Sequence, residues 1–390
     1  MKIRRLLGLG ALVGVPVAAY GGYPALVWAA AILQPRPYLT DPNHKPLVAV
    51  VIAAHNEAAL IGAKVRNVFE QDYAPGTYTC TVVCDGCTDD TADAARAAGD
   101  DRLQVIELPR QRGKLAAIRA ALPHARGEVI AFTDANVLLE RDALRHLVAP
   151  LADPSVAAVS GAKHINAGPE ATYWRYERWI RTLESASGSI AGADGALFAV
   201  RTSAVDASPV AGAADDLLIS LRAAQSAGRI VIAPEARTTE PELPIARESL
   251  TARVRTTSGA LFALASLPGI LGPSSGDLWW KLAGHKLLRI AAPSVMIAGA
   301  ITLVVSARPT RMRVTPTVWA VGLALAGLSA STSRSLGTVV QVAGYALLAN
   351  LAALIGLARY IARRPIDSWK PVRPPQPMSR VQESSARRQQ

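Results

Sequence analysis

The chain has 390 residues, of which 50% are hydrophobic and 18% are charged. This composition is too apolar for a protein that is water-soluble throughout, so we expect lipid to cover part of the chain. The formal net charge of +12 suits a nucleic acid, an anionic membrane surface or a phosphate-rich substrate, and charge alone does not choose among them.

The first apolar segment lies at the N-terminus. Leu6 to Leu33 contains no charged residue, and about 20 apolar residues are enough to cross a bilayer as a helix. A cleaved signal peptide is the alternative, because "MKIRR" is a basic start and "VAA" before Tyr20 resembles a cleavage site. Since the apolar run continues past that site, we expect the segment to be retained.

The middle of the chain alternates between short runs rich in Val and Ile and stretches with helical periodicity. The predicted strands are Leu47 to Ala54, Thr77 to Cys84, Leu103 to Leu108, Glu128 to Thr133 and Val156 to Ser160. The predicted helices between them are Glu57 to Phe69, Thr88 to Ala98 and Lys114 to Leu122. This alternation predicts an α/β fold, with a mostly parallel sheet and helices on both of its faces.

Polar residues follow three of these strands, in "AAHNE", "CDGCTDD" and "FTDAN". Helix caps and turns would explain one such strand end. An open α/β sheet, however, binds its ligand at the carboxyl ends of its strands, and three polar ends together predict a ligand site there. The residues expected to converge are His55, Asn56, Glu57, Asp85, Asp134 and Asn136.

All three cysteines lie in "TCTVVCDGC", where Cys84 and Cys87 have the spacing of a zinc or redox site. Zinc needs four ligands, and neither a second such pair nor two nearby histidines supplies the rest. A redox pair stays possible, because this spacing at a helix start lowers a thiol pKa. We favour a third interpretation, in which Asp85 does the chemistry and the cysteines are thiols that fill space in a reducing compartment.

Three further uncharged stretches near the C-terminus are long enough to span a bilayer. They are Ile290 to Ala307, Val314 to Ser333 and Ser335 to Ala358. The stretch "TTSGALFALASLPGILG" before them is apolar but interrupted by Gly and Pro, which predicts helices lying along the membrane. The predicted segments are 1–35 (membrane), 40–256 (α/β domain), 257–285 (interfacial helices), 286–360 (transmembrane helices) and 361–390 (basic tail).

Four stretches resemble, in their order and spacing, the family 2 glycosyltransferases. They are "VAVVIAAHNEAALIGAKVRNV", "VVCDGCTDDTAD", "RGKLAAIRAAL" and "GEVIAFTDANVLLERDAL". The resemblance runs from about Pro46 to Arg255 and is nearest to membrane members such as cellulose and hyaluronan synthases. It implies a catalytic domain with the GT-A fold, accompanied by one N-terminal and about three C-terminal transmembrane helices.

The resemblance implies which residues bind the donor. The nucleotide-binding set is Ala54, Asn56, Glu57, Asp85, Lys114 and Asp134. Asp85 would accept a hydrogen bond from the imide N–H of the base, and the Lys114 ammonium would approach a phosphate oxygen. Where the family usually has Asp-Gly-Ser, this chain has Asp85-Gly86-Cys87, so the serine hydroxyl is missing.

The stretch "TDAN" stands where the family has its metal-binding DxD motif. Asp134 and Asn136 would together hold a Mg²⁺ or Mn²⁺ ion that bridges the donor diphosphate. Because Asn136 offers a neutral carbonyl oxygen, we expect weaker metal binding than from two carboxylates. By itself, "DAN" is equally explained as a cap before "LLERDAL".

Three later stretches resemble the acceptor and catalytic segments of the family. "GADGALFAVR" implies that Asp194 and Gly195 face the acceptor. "AADDLLISLR" supplies the catalytic acids Asp215 and Asp216, of which we choose Asp216 as the base that takes a proton from the acceptor hydroxyl.

The stretch "RESLTARVRT" implies that Arg253 and Arg255 contact the diphosphate. It lacks the tryptophan that the family usually has there, which argues against processive synthesis. The aromatic residues and arginines of "YWRYERWIRTLES" favour packing against the membrane helix over sugar stacking.

The sequence therefore predicts an inverting glycosyltransferase of the cell (inner) membrane, with a cytoplasmic catalytic domain. The expected partners are a nucleotide-sugar donor such as a UDP-sugar, a lipid-linked or saccharide acceptor, membrane lipid and a second copy of the chain, but no nucleic acid. Two alternatives remain open, a nucleotidyltransferase and a membrane scaffold with a degenerate site. The basic residues at both ends do not settle the number or orientation of the spans.

Overall fold

The computed structural model describes residues 2–74, 76–165, 168–239, 246–306 and 338–366. Its centre is an eight-stranded sheet. The strands are β1 (Val48–Ala54), β2 (Tyr78–Asp85), β3 (Leu103–Leu108), β4 (Val129–Thr133), β5 (Leu138–Leu139), β6 (Val156–His164), β7 (Leu197–Arg201) and β8 (Arg229–Thr239). The predicted α/β fold class is confirmed, and all five predicted strands are present.

The sheet has the order β3-β2-β1-β4-β7-β6-β8-β5. Strands β3, β2, β1 and β4 run parallel, as do β6 and β8. Strand β7 is antiparallel to both of its neighbours, and β5 is antiparallel to β8. The sheet is therefore mixed, with four parallel and three antiparallel pairings among the described strands, in agreement with the prediction of a mostly parallel sheet. Strand β7 lies in "LFAVR", whose short apolar run was interpreted only as part of an acceptor loop.

Helices cover both faces of the sheet. The helices of the sheet domain are α4 (Ala58–Phe69), α5 (Thr91–Ala98), α6 (Lys114–Ala121), α7 (Ala143–Val148), α8 (Gly168–Ala186), α9 (Asp215–Ala227) and α10 (Ala246–Ala265). Alternate residues of β1 explain the arrangement, because Ala49 and Val51 belong to one buried apolar cluster and Val50 and Ile52 to the other. A strand that is buried on both faces has a continuous apolar sequence, as observed.

The remaining helices are largely apolar. They are α1 (Lys2–Leu9), α2 (Val15–Val17), α3 (Tyr23–Leu33), α11 (Leu278–Lys281), α12 (Leu288–Ser306) and α13 (Thr338–Ile361). In the described ranges, two continuous helical stretches are long and apolar enough to cross a membrane, Leu6–Leu33 and Leu278–Leu303. The predicted span Val314 to Ser333, the first residues of the span from Ser335 and most of the basic tail lie outside the described residues.

The N-terminal apolar helix is attached to the sheet domain through α8. Tyr23 and Val27 of α3 form a small buried cluster with Ile180 of α8. This contact agrees with the packing interpretation of "YWRYERWIRTLES". It fixes the position of α3 relative to the catalytic half of the molecule.

The C-terminal half of α10 packs against the sheet domain. Ala263 and Leu264, together with Leu267 and Ile270 after the helix, belong to the same buried cluster as one face of the sheet. One side of this apolar run is therefore covered by the domain core, and its position along a membrane stays a prediction. Helix α13 packs on the other side of α10, where the rings of Phe262 and Tyr360 lie 5.2 Å apart.

Candidate active site

A cavity of about 610 Å³ lies at the carboxyl ends of β1 and β4. It extends from there between α8, α10 and α12. The predicted site residues that line it are Glu57, Lys114, Asp134, Asn136, Asp194, Gly195, Asp215, Asp216, Arg253 and Arg255. The structure thus brings residues from six separate stretches of the chain to one place.

Three predicted nucleotide-binding residues lie behind the cavity wall. Ala54 and Asp85 are fully buried, and Asn56 adopts a left-handed backbone conformation with φ of 54°. Asn56 Oδ1 accepts a hydrogen bond from the backbone N–H of Thr88 (2.8 Å). These contacts fix the turn between β1 and α4, which carries Glu57 into the cavity.

The Asp85 carboxylate holds the loop before α6. One oxygen accepts from the backbone N–H of Arg112 (2.7 Å) and the other from that of Gly113 (2.8 Å). Gly86 lets this loop approach closely, because a Cβ at that position would lie 2.1 Å from the backbone nitrogen of Gln111. The observed contacts of Asp85 therefore position Lys114, whereas its predicted contact with a nucleotide base remains a prediction.

Cys87 makes hydrogen bonds at the position where the family has serine. Its Sγ accepts from the backbone N–H of Asn56 (3.4 Å) and lies 3.6 Å from the carbonyl oxygen of Ala54, to which it donates. A thiol can therefore join the two turns, although its hydrogen bonds are weaker than those of a hydroxyl. The three cysteines are free thiols, and Cys80 and Cys84 are buried.

Cys87 is expected to be the one reactive thiol among these three. The hydrogen bond from Cys84 lowers the pKa of Cys87 to about 6, whereas burial raises the pKa of Cys80 to about 12. Alkylation by iodoacetamide should modify Cys87, with a rate that rises with pH and reaches half its maximum near pH 6, because the thiolate is the nucleophile. Peptide mass spectrometry between about pH 5 and about pH 8 measures this rate. A Cys87→Ser variant should lose the modification, and labelling of Cys80 first would contradict the expectation.

Lys114, the first residue of α6, links two carboxylates at the N-terminal end of that helix. Its Nζ lies 2.7 Å from Asp134 Oδ1 and 2.9 Å from Asp215 Oδ2. The second contact satisfies the distance for an ion pair but not the direction of a hydrogen bond, since Asp215 Oδ2 is buried without a hydrogen-bond partner. The site therefore holds an oxygen that can still accept a donor or bind a cation.

The oxygen atoms around Lys114 fit a divalent ion that a substrate helps to bind. Within the described ranges, no three His, Cys, Asp or Glu residues form a preformed metal site. Mg²⁺ typically takes one or two carboxylates and completes its shell with water and substrate phosphates. Asp134 and Asn136 both line the cavity, and a carboxylate and an amide oxygen suit that kind of site.

Asp216 lies beside the glycine that was assigned to the acceptor. A Cβ at Gly195 would be 3.3 Å from Asp216 Oδ2, so glycine keeps this carboxylate accessible. Asp216 Oδ1 accepts from the backbone N–H of Leu217 (2.8 Å). Burial, and then the charge of Asp215, raise the pKa of Asp216 to about 6. A carboxylate with such a pKa can accept a proton near neutral pH.

The "TDAN" turn is supported by a buried lysine that the sequence motifs did not single out. Lys64 is fully buried and donates to Thr133 Oγ1 (2.9 Å) and to the carbonyl oxygen of Val137 (2.6 Å). Burial lowers the pKa of Lys64 to about 7. The signal was available, because a lone lysine interrupts the apolar face of α4 in "LIGAKVRNV".

A buried polar network, which no sequence motif indicated, lies between α8 and the helix that enters α12. His285 contacts Glu184 Oε1 through Nδ1 (2.6 Å) and Glu177 Oε2 through Nε2 (2.9 Å). Tyr23 donates to Glu184, and Arg289 donates to Glu177. Burial alone would raise the pKa of Glu177, but His285 and Arg289 hold it below its usual range. This network connects the first apolar helix, α8 and the second apolar helix.

The order of these stretches corresponds to a known family. Residues 49–206 match the family model described as glycosyl transferase family 2. This segment is a family 2 glycosyltransferase domain. The resemblance seen in the sequence is confirmed, and the domain covers the strands that supply Glu57, Asp134, Asp194 and Gly195.

Curated relatives of this glycosyltransferase domain act on different molecules. The chain is 30% identical over 186 residues to the "Beta-monoglucosyldiacylglycerol synthase" of Nostoc sp., an alignment that covers 44% of this chain and 40% of the relative. It is 31% identical over 120 residues to an "N-acetylglucosaminyltransferase" of Azorhizobium caulinodans, which covers 30% of each. The chain thus spans less than half the length of these relatives.

A solved structure shares the fold over almost the whole chain. It is a mannosyltransferase, PcManGT, from Pyrobaculum calidifontis, in complex with GDP-Man and Mn²⁺. The TM-score is 0.71, the identity is 24%, and the match covers 93% of this chain and 99% of the other. The predicted GT-A-type fold of the glycosyltransferase domain is confirmed.

Proposed function

We propose that this protein transfers a sugar from a nucleoside diphosphate donor to an acceptor at a membrane, with inversion at the anomeric carbon. The observation that carries the proposal is the placement of Lys114, Asp134 and Asp216 in one cavity at the carboxyl ends of the strands. A diphosphate needs cations, and an acceptor hydroxyl needs a base. The cavity contains both.

The donor half of the site is built around Lys114. Its ammonium, together with Arg253 and Arg255 on α10, offers positive charge to the diphosphate oxygens. Asp134 and Asn136 would hold a Mg²⁺ or Mn²⁺ ion, which would offset the charge on the leaving diphosphate. Asp85 keeps the loop that carries Lys114 in place through two backbone hydrogen bonds.

Asp216 is the proposed base because its neighbour Asp215 is already paired with Lys114. An unpaired carboxylate of raised pKa is the better acceptor for the proton of an attacking hydroxyl. In-line displacement with one base produces inversion. A nucleotidyltransferase would release pyrophosphate and would leave Asp216 without a role.

The donor is tested with full-length protein, Mn²⁺ and a panel of UDP-glucose, UDP-N-acetylglucosamine and GDP-mannose. Release of nucleoside diphosphate supports sugar transfer, and release of pyrophosphate supports nucleotidyl transfer. If the protein neither binds nor turns over any of these donors, the proposal is wrong. A scaffold with a degenerate site predicts that outcome.

Metal binding should depend on the nucleotide. Since the described residues supply only Asp134 and Asn136 at the proposed position, Mn²⁺ is expected to bind the protein alone weakly and at least about tenfold more tightly with a nucleoside diphosphate present. Electron paramagnetic resonance of free Mn²⁺ measures this difference without turnover. An Asp134→Ala variant should lose the tightening, and equal affinity with and without nucleotide would contradict the assignment.

The two long apolar helices favour an integral protein of the cell membrane, with residues 40–256 facing the cytoplasm. Nucleotide sugars are cytosolic, and the cavity opens between the sheet domain and α12. The segment boundaries, a second copy of the chain and a preference for a UDP-sugar remain part of this proposal. Reporter fusions at both termini test the orientation.

A further inference from the structure

The half of the cavity opposite Lys114 is rich in cations. Lys163 from β6, Arg181 from α8 and Lys286 from the helical segment Leu282–Leu287 before α12 line this half, and all of them act on Asp194. Burial would raise the pKa of Asp194, but these three charges hold it below its usual range. Asp194 therefore lies near cations from three different elements, and the carboxylates of Glu177, Glu184 and Asp216 also act on Lys286.

Most basic groups in this region already have a partner. Arg181 Nη2 donates to the carbonyl oxygen of Gly192 (2.5 Å), and Lys163 Nζ lies over the ring of Trp174. His285 contacts Glu177 and Glu184, and Lys281 lies 2.7 Å from Asp277 Oδ2. Lys286 has no hydrogen bond or ion pair with any described part of the chain. Because a lysine that is partly buried without a direct partner is unfavourable, Lys286 should attract an anion.

Arg289 points to the same kind of ligand. Its Nη1 donates to Glu177, whereas its Nε and Nη2 are buried and make no hydrogen bond with the described residues. Arg289 lines the cavity. A guanidinium with unused donors beside a lysine suits a phosphate, since Arg offers directed hydrogen bonds and Lys a point charge.

Apolar residues lie at the same end of the cavity. Ile290 of α12 and Ala353 of α13 line it. Farther along α12, Val295 and Ile297 are 37% and 41% exposed. A ligand that reaches the cations along these helices would carry its charge next to an apolar chain, as a phospholipid does.

We propose that the acceptor is an anionic glycerophospholipid, whose phosphate binds Lys286, Arg181 and Arg289 and whose head-group hydroxyl reaches Asp216. This assignment rests on the proposed sugar transfer. The two positions belong to one cavity, because Lys286, Arg181, Arg289, Gly195 and Asp216 all line it and a Cβ at Gly195 would lie 3.3 Å from Asp216 Oδ2.

The transfer step forms one bond to the anomeric carbon and breaks another. The hydroxyl oxygen of the head group forms a bond to the anomeric carbon of the donor sugar, and its proton passes to Asp216. The bond between that carbon and the diphosphate oxygen breaks, and its electron pair leaves with the nucleoside diphosphate. The lipid phosphate takes no part in bond formation and only positions the head group.

The test compares phosphatidylglycerol with diacylglycerol of the same acyl chains, using full-length protein in mixed micelles. About 0.3 M salt suppresses recruitment of the basic protein to charged micelles in general. The kcat/KM for phosphatidylglycerol should be at least about tenfold higher than for diacylglycerol. Free glycerol phosphate, tested as a soluble acceptor, should be a poor substrate, since it lacks the apolar chain.

Variants of two basic residues separate the subsite from surface charge. Lys286→Gln should raise the KM for phosphatidylglycerol about tenfold, and Lys286→Arg should restore it to within about threefold of wild type. Arg175→Gln makes the same charge change at an exposed position of α8, where Arg175 donates only to Thr172 Oγ1, and should leave KM unchanged. Donor affinity, measured on each variant, shows whether it is folded.

The outcomes are distinguishable. Equal use of both lipids, equal use of glycerol phosphate, or an equal effect of Lys286→Gln and Arg175→Gln would each overturn the phospholipid subsite while sugar transfer stands. The lipid preference of the wild type needs no variant. If the protein neither bound a donor nor transferred sugar to any acceptor, the proposed function itself would be wrong.

Discussion

Replacement of Asp216 by Asn is expected to lower the rate of sugar transfer about 100- to 10,000-fold, the range that a general base contributes. The amide has nearly the same shape but cannot take the hydroxyl proton. Asp216 does not contact Lys114 in the way that Asp134 and Asp215 do, so donor binding should be nearly unchanged. Single-turnover transfer and donor titration, measured on the same preparation, provide the two readouts.

Asp206→Asn is the matched control. Asp206 lies before α9 in the same half of the domain, is 51% exposed and pairs with Arg222 at 3.5 Å. A pair so exposed contributes little to stability, and transfer should remain at the wild-type rate. If Asp216→Asn kept full transfer, or if Asp215→Asn alone abolished it, the base would have to be reassigned.

Replacement of Lys114 by Met should lower kcat/KM about 100- to 1000-fold, as loss of one charge-stabilising donor typically does. It should also change the pH profile. In the wild type the active form is the Asp216 carboxylate, whose pKa is about 6, so the rate should fall as the pH falls through about 6. Lys114 lowers this pKa, and its removal should therefore move the acidic limb to higher pH.

Asp215→Asn should move the same limb in the opposite direction. The charge of Asp215 raises the pKa of Asp216, and without it Asp216 should stay ionised at lower pH. The pH dependence of kcat/KM for wild type and both variants measures these shifts. Shifts in the same direction would contradict the assignment of Asp216, because the two neighbours have opposite charges.

Local sequence patterns were sufficient to predict the first half of the sheet. Strands β1 to β4 and helices α4 to α6 form where runs of Val and Ile alternate with helical periodicity, because each run is bounded by residues that end strands. Strands β5, β7 and β8 were not predicted. Their pairings join residues such as Phe132 and Phe198, which are far apart in the sequence, and short apolar runs do not reveal such partners.

The candidate site shows the same difference. The strand-end rule and the family resemblance together selected Glu57, Lys114, Asp134 and Asp216, and all four line one cavity. Neither indicated that Asp85 would turn toward the backbone of a loop. Hydrogen bonds of this kind depend on where a distant loop folds back, which no periodicity records.

The sequence by itself determined that this protein has a family 2 glycosyltransferase domain with apolar helices beside it, because strand ends, turn residues and apolar length are local properties. Only the tertiary structure decided which charges meet. All three of His285, Lys286 and Arg289 line the cavity. His285 and Arg289 are paired with carboxylates of α8, whereas Lys286 makes no ion pair with the described residues. Electrostatic pairing depends on distances between separate elements, and the linear order of charges does not contain those distances.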